Sequence, residues 1–246
     1  MGWVGENSPI PASAGSFSAT TLGRATLGGI AVVTRESAEF SAPDIEVLLN
    51  LDMTNASVAA MDENFVSPNA AVAGLSPAGI LNSATPVVSS GTTPSAIASD
   101  FNLVLAKFDA AGVALKNPVI CMTPSVAIFL ATLRDTAGGA AFADITAQGG
   151  LLFGVPVLTS ASVPHSVSGG SLIAVISSDD VMYGDSGAAI DVSQYAAIQL
   201  DDAPSAGAQP LVSLFQNNLI GIKLTRIVNW ALRRAGAAQY ISQFAH

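Results

Sequence analysis

Residues 41–66 constrain the fold more than any other stretch, because they are the longest run that predicts a single element. Ser41 is suited to cap a helix, Pro43 suits its first turn, and Asp44 follows Ser41 at capping-box spacing. Apolar and then small residues recur at helical spacing: Ile45, Leu48, Leu49, Met53, Ala56, Ala59 and Ala60. Pro68 ends the pattern. A helix of this length extends about 35 Å, which predicts a spine under a sheet with its alanine-rich half close to another backbone.

Shorter helices and strands are interleaved along the rest of the chain. Strands are predicted at 119–122, 171–177, 188–192, 194–200 and 240–244, and helices at 94–112 and 123–134. Two strand pieces meet at Gly154, and residues 211–235 fit either a helix or a long strand. The long helix belongs to no regular strand–helix–strand repeat. The sequence therefore predicts an α+β architecture.

The chain carries few charges for a soluble monomer. Only 11% of its 246 residues are charged and 50% are apolar, where about 25% charge is usual. Either the chain crosses a membrane, or neighbouring copies cover much of its surface. Its charge-free runs are broken by Pro, Gly and Ser and contain no stretch of about 18 continuous apolar residues. Burial against other copies, and no membrane, is the expectation.

Charge and cysteine content exclude two further classes. The net charge of −9 and the scattered lysines and arginines predict no tight binding of nucleic acid, because affinity for phosphates depends on basic residues. A single cysteine, Cys121, excludes an intramolecular disulfide framework. The first residues lack the basic and apolar regions of a signal peptide.

One motif invites an enzymatic interpretation. Residues 184–187 read Gly-Asp-Ser-Gly, the sequence around the nucleophile of chymotrypsin-like proteases. That chemistry needs a histidine base, and the only histidines are His165, in a Pro/Ser/Gly loop, and His246, the last residue. A turn between strands is the favoured interpretation, and a serine hydrolase at Ser186 remains a remote alternative.

Metal and cofactor sites are not expected either. The acidic pairs 179–180 and 201–202, with Asp185, lack the spacing of a calcium loop, and the chain has no His/Cys cluster for zinc. They are interpreted as solvated turn carboxylates. The sequence predicts no catalytic, cofactor-binding or metal-ligating residue, and no enzyme.

A series of short segments occurs in an order that resembles one protein family. Trp3-Val4-Gly5-Glu6 precedes a predicted strand pair and the long helix. A strand at 119–122, a helix opened by Thr123-Pro124 and the pieces hinged at Gly154 follow. Residues 180–183, 190–193, 215–218 and 224–226 continue the order. The set resembles the major capsid proteins of tailed phages with the Hong Kong-97-type fold.

This resemblance implies a fold with axial and peripheral domains and an extended loop. The implied divisions are residues 1–18, a partial extended loop or arm; 19–95, a peripheral domain with the spine helix; 96–205, an axial domain; 206–236, a return to the peripheral domain; and 237–246, a last axial strand. Family members carry an arm and a first loop strand ahead of the Trp3 region, so the chain is expected to be N-terminally short.

The resemblance also implies the function. It implies pentamers and hexamers of an icosahedral phage or prophage shell that encloses double-stranded DNA without sequence-specific binding. The implied location is the virion, with the host cytoplasm during assembly, and a scaffold or prohead protease is a potential partner. An encapsulin-type compartment shell is the alternative. Some relatives cross-link a loop lysine to an asparagine near Asn218, but the lysines here, Lys107, Lys116 and Lys223, lie outside the loop, so no cross-link is expected.

Contacts between subunits are expected at exposed charged and aromatic residues. The candidates are Trp3, Glu6, Asp44, Glu46, Asp52, Asp62, Glu63, Arg233 and Arg234. The acidic residues of the spine helix are expected to be exposed, so that reversing their charge harms assembly more than folding.

Overall fold

The structure, a computed structural model, describes residues 3, 4, 6, 8, 21–40, 44–164, 169–201, 204 and 209–245, with only the backbone described for residue 40 and residues 44–46. The helices are α1 (Arg35–Phe40), α2 (Asp44–Phe65), α3 (Pro94–Ala110) and α4 (Pro124–Thr132), with a 3-10 turn at Ser178–Asp180. The strands are β1 (Thr26–Thr34), β2 (Val87–Val88), β3 (Pro118–Met122), β4 (Ile145–Thr146), β5 (Gly149–Leu152), β6 (Val155–Thr159), β7 (Ser171–Ser177), β8 (Val181–Ser193), β9 (Ala197–Ile198), β10 (Val212–Ser213), β11 (Leu219–Leu232) and β12 (Ala238–Phe244).

A seven-stranded mixed sheet forms one half of the fold, in the order β2-β12-β7-β3-β6-β5-β4. Strand β7 lies in its interior, between β12 and β3, and all seven of its residues are buried. Because side chains alternate across a strand, Ile173 and Val175 face one core cluster, while Leu172, Ala174 and Ile176 face the other. Both faces of this sheet are therefore covered, as the continuous apolar sequence of β7 predicts.

Helices α3 and α4 cover one face of this sheet. Thr93 caps α3, since its Oγ1 accepts a hydrogen bond of 3.3 Å from the amide of Ala96, and Pro94 occupies the first turn. Helical spacing predicts an apolar stripe on α3 at Ile97, Phe101, Val104, Leu105 and Phe108. Four of these five residues are buried, whereas Leu105 is 41% exposed and lies outside the core.

A three-stranded antiparallel sheet, β1-β11-β8, forms the other half and carries α2 on one face. Leu49 lies beside β8 and β11, and Met53 and Ser57 lie over β1. The face of α2 that packs on its own sheet is thus Leu49–Met53–Ser57. Leu48, which the predicted stripe included, is 55% exposed instead, because it lies about 100° around the helix from Leu49.

One buried cluster lies between the two halves. The ring of Trp230, on β11, lies edge-on to Phe65 at the end of α2, with centroids 5.3 Å apart. Its indole Nε1–H donates a hydrogen bond of 2.8 Å to the carbonyl of Ala78. Tyr240 of β12 belongs to the same buried cluster. The spine helix and the seven-stranded sheet are therefore fixed to one another through Trp230.

Several predicted boundaries differ from the structure. Residues 211–235 contain the 14-residue strand β11 rather than a helix, and only Ala197–Ile198 of the predicted strand 194–200 pairs. The range 96–205 is divided between the sheets, because β8 pairs with β11 and not with the seven-stranded sheet. Strand β2, within the range 19–95, instead pairs with β12. These pairings are long-range, so local sequence patterns do not reveal them.

Candidate contact surfaces

The outer side of α2 exposes apolar side chains that its own chain does not cover. Val47 is 66% exposed, Leu51 55% and Val58 43%. At 3.6 residues per turn these three positions fall within about 40° of one another, on the opposite side from the face that packs on the sheet. We call Val47, Leu51 and Val58 the outer ridge. Exposed apolar groups in a row mark surfaces that bind other molecules.

Charge on α2 has a single sign. The helix contains five acidic residues and no lysine or arginine: Asp44, Glu46, Asp52, Asp62 and Glu63. Asp52 and Glu63 are exposed, whereas the side chains of Asp44 and Glu46 lie outside the described part of the structure. The expectation of exposure is wrong for Asp62, which is half-buried and accepts a hydrogen bond of 3.0 Å from Ser160 Oγ.

The two adjacent arginines lie at the corner between β11 and β12. The amide of Arg233 donates to the carbonyl of Asp180 at 2.7 Å, and its side chain is exposed. Arg234 Nε lies 3.8 Å from Asp180 Oδ1, so this guanidinium is partly neutralised within the chain. Trp3 and Glu6 are both exposed. The sequence-predicted contact residues are thus distributed over the N-terminal residues, α2 and the corner between β11 and β12.

The Gly-Asp-Ser-Gly motif lies inside strand β8 and not in a turn between strands, which corrects the sequence interpretation. It forms a bulge, because the register with β11 shifts between Arg226 and Val228. Ser186 Oγ accepts a hydrogen bond of 3.1 Å from the amide of Ile227 and donates one to the carbonyl of Gly187. The serine hydroxyl therefore closes the bulge. Both histidines of the chain fall outside the described residues.

Asp185 holds the bulge together electrostatically. Its carboxylate pairs with the Arg226 guanidinium, with a distance of 3.0 Å from Nε to Oδ1, and accepts hydrogen bonds from Tyr183 and the amide of Gly187. The hydrogen bonds from Arg226 and then from Gly187 hold the pKa of Asp185 well below its ordinary value. A carboxylate with these partners is stabilising only while it is ionised.

This pairing predicts a pH-dependent stability. Because the pKa of Asp185 is depressed in the folded state, its contribution is complete above the unfolded value of about 3.9 and is lost as the pH falls below it. We expect Asp185→Asn to lower the free energy of unfolding by about 1–3 kcal/mol at pH 7. The difference from the wild type should shrink in urea titrations between about pH 4 and pH 2. A difference that stayed constant down to pH 2 would contradict the assignment.

Two stacked aromatic rings lie where β8 ends and β11 begins. Tyr195 is 81% exposed and Phe215 71%, and their centroids lie 6.0 Å apart. Sequence analysis missed this pair because the two residues are 20 positions apart in loops without periodicity. It also missed the outer ridge, since apolar residues occur all around α2.

Two of the acidic residues considered as metal ligands are engaged in hydrogen bonds of the chain itself, while Asp202 lies outside the described residues. Asp179 accepts a hydrogen bond from Asn117, and Asp180 accepts one from Ser177. Within the described residues, no group of three or more potential ligands approaches a common point. In the same part of the chain, no helix combines the length and apolarity needed to cross a membrane.

Sequence comparisons give two matches over almost the whole chain. The profile of the phage capsid family matches residues 1–242. A capsid polyprotein of Pseudomonas phage PAJU2 is 36% identical over 245 residues, which cover 98% of this chain and 37% of that protein. The chain thus spans little more than a third of the length of this curated relative.

Comparison of the folds leads to the same class of proteins. A solved structure from Mycobacterium phage Adephagia superposes with a TM-score of 0.68 at 17% identity, covering 99% of this chain and 81% of that one. A solved structure from Gordonia phage Cozz superposes with a TM-score of 0.68 at 15% identity, covering 98% of this chain and 80% of that one. The capsid of a native GTA particle superposes with a TM-score of 0.65 at 16% identity, covering 100% of this chain and 81% of that one. At these identities the similarity concerns the fold.

Proposed function

The chain belongs to the phage capsid family and has the Hong Kong-97-type fold, and we propose that it is a major capsid protein whose copies build a closed icosahedral shell. The observation that carries the proposal is the outer ridge of α2 in a chain with 11% charged residues. A free monomer would leave this apolar surface in water. A shell subunit buries such surface against its neighbours, gaining roughly 25 cal/mol for each Å² of apolar area.

We further propose that the two halves correspond to the two domains of the family. The seven-stranded sheet with α3 and α4 would be the axial domain. The three-stranded sheet with α2 would be the peripheral domain, with its acidic side and outer ridge directed toward neighbouring copies in pentamers and hexamers. The exposed Asp52, Glu63 and Arg233 support this orientation, because each lacks an ion-pair partner among the described residues.

The proposed content of the shell is double-stranded DNA held without sequence-specific contacts. Four of the nine basic residues form ion pairs with acids of the same chain: Arg35, Lys223, Arg226 and Arg234. With a net charge of −9, the chain offers little for phosphates to bind. Packaged DNA would therefore slide along the wall instead of adhering to it.

We also propose that a protease or scaffold acts during assembly in the host cytoplasm, before the subunit becomes part of the virion. The support is the name of the PAJU2 relative, a capsid polyprotein, since a polyprotein is separated into its parts by proteolysis. The matched relatives give no support to the compartment-shell alternative or to a serine hydrolase at Ser186.

Assembly is the direct test of the proposed function. We expect the chain, expressed in the length of its natural product, to form closed particles visible by negative-stain electron microscopy and to elute near the void volume of a size-exclusion column. The particles should dissociate in hot detergent to a single band at the mass of one subunit, because no cross-link is expected. If the product stayed monomeric at every salt and protein concentration tested, the proposal would be wrong. A ladder of covalent multimers would disprove the absence of a cross-link.

A further inference from the structure

A cavity of about 290 Å³ lies between α3 and the seven-stranded sheet. Its floor is formed by Val104, Ile120 and Leu152, which are at most 1% exposed. Asn102 is the only polar side chain in its lining, and no lining residue is charged. Protein interiors are otherwise close-packed, and an apolar space of this size holds water poorly. The chemistry of the cavity therefore suits a neutral apolar group.

Phe153 forms the rim of this cavity in an unusual backbone conformation. It occupies, with Gly154, the two-residue loop between β5 and β6, with φ of 52° and 79°. Such loops normally use Asn-Gly, because positive φ is unfavourable for a bulky side chain. The centroid of its ring lies 5.4 Å from that of Phe101 and 5.6 Å from that of Phe142, and both contacts are edge-on. Phe153 nevertheless remains 55% exposed. Strain of this kind often occurs where a ligand is held.

The size of the cavity indicates the size of the ligand. An apolar cavity of roughly 150 Å³ holds one benzene ring, so about twice that volume fits a two-ring aromatic group better than a phenyl ring. The amide of Asn102 at the lining could accept one N–H hydrogen bond. An indole meets both conditions, because it has two fused rings and a single donor.

The chain itself supplies one unused indole. It contains two tryptophans, of which Trp230 is buried in the cluster that joins the two halves. Trp3 is fully exposed, and the aromatic contacts of the described residues do not involve it. Since Trp3 lies in solvent in its own chain, its indole is free to enter the cavity of another copy. Tryptophan is also among the residues that contribute most to binding at interfaces.

We propose that the cavity beside Phe153 receives the indole of Trp3 from a second copy of the chain. This inference rests on the proposed function, because a shell brings copies together at high local concentration. The inserted ring would cover the exposed side of Phe153 and fill the space above Val104 and Ile120. Each subunit would thereby anchor the N-terminal segment of a neighbour, a head-to-tail contact that can close into a ring.

The first experiment tests the cavity in the unassembled chain, with free indole as the probe. We expect saturating indole to raise the Tm of the wild type by about 2–5 °C. Ala98→Phe places a ring in the cavity from α3 and should abolish the shift, with Ala98→Met as a second variant if the first does not fold. Ala106→Phe is the matched control, because Ala106 is exposed on the same helix outside the lining. Equal shifts in all variants, or no shift in the wild type, would overturn the proposal.

The second experiment identifies the occupant in assembled particles. The difference between wild-type and Trp3→Phe fluorescence isolates the emission of Trp3. We expect this emission to move to shorter wavelength and to resist acrylamide quenching after assembly, but not in particles of Ala98→Phe. If Trp3 emits in the particles as it does in the free chain, a second copy's Trp3 is not the ligand. Failure to form particles would overturn the proposed function and this occupant together, while the indole titration would still decide the ligand class of the cavity.

Discussion

Reversing the charge of Asp52 and Glu63 together is expected to lower the yield of particles at least about tenfold while leaving the isolated chain folded. Both carboxylates are exposed on α2, and neither forms an ion pair within the described residues. Lysines there would bring charge of the wrong sign to every interface in which α2 takes part. A loss of about 1.4 kcal/mol per contact lowers each association constant tenfold, and a shell multiplies this loss over many contacts.

The measurement compares particle yield with thermal stability. We expect the Asp52→Lys/Glu63→Lys chain to give at least about a tenfold lower yield of particles, with a Tm within a few degrees of the wild type. The matched control is Asp62→Ala on the same helix. Its carboxylate accepts the hydrogen bond from Ser160, so this change should cost about 1 kcal/mol of folding stability. Should the double lysine variant unfold the isolated chain, α2 would be core and not an interface.

Trp230→Ala is expected to destabilise the isolated chain by about 3–5 kcal/mol. The side chain is 5% exposed and joins the end of α2 to the seven-stranded sheet. Its removal leaves a large cavity, removes the edge-on contact with Phe65 and leaves the carbonyl of Ala78 without its indole donor. Because the total stability of a domain is about 5–15 kcal/mol, this variant should be partly unfolded at 37 °C.

Urea unfolding measures this loss. Trp230→Phe keeps a ring beside Phe65 but not the N–H donor, and should recover most of the lost stability. Trp3→Ala removes the same side chain from a fully exposed position and should leave the unfolding midpoint unchanged. A Trp230→Ala midpoint close to that of the wild type would show that the two halves are fixed by other contacts.

Local patterns were sufficient for the elements that the chain specifies through its nearest neighbours. Thr93 and Pro94 start α3 where capping rules place it, and the predicted stripe from Ile97 to Phe108 is buried except at Leu105. The uniformly apolar run 119–122 lies in β3, the central strand of the seven-stranded sheet. The ordered resemblance to tailed-phage capsid proteins is confirmed by the family match over residues 1–242.

Patterns were insufficient wherever two distant segments had to meet. Residues 211–235 carry apolar residues on every side, so their sequence did not distinguish a helix from the strand β11. Gly-Asp-Ser-Gly resembled a turn because the partner that makes it a bulge, Arg226, lies 41 positions away. For Asp62, burial depends on Ser160, which is 98 positions away.

For the long helix α2, some features follow from local sequence and others depend on tertiary structure. The sequence by itself indicated a single long helix, which the structure has at Asp44–Phe65, because helical spacing and the stop at Pro68 are local. The predicted cap at Ser41 and first turn at Pro43 lie outside the described residues. The low charge also predicts that neighbouring copies cover much of the surface of the chain. Only the tertiary structure decided which side of α2 packs on the sheet, since an apolar residue such as Leu48 or Leu49 gains equally from burial in its own core or against a neighbour. The sheet accepts Leu49, Met53 and Ser57, and so leaves Val47, Leu51 and Val58 facing outward.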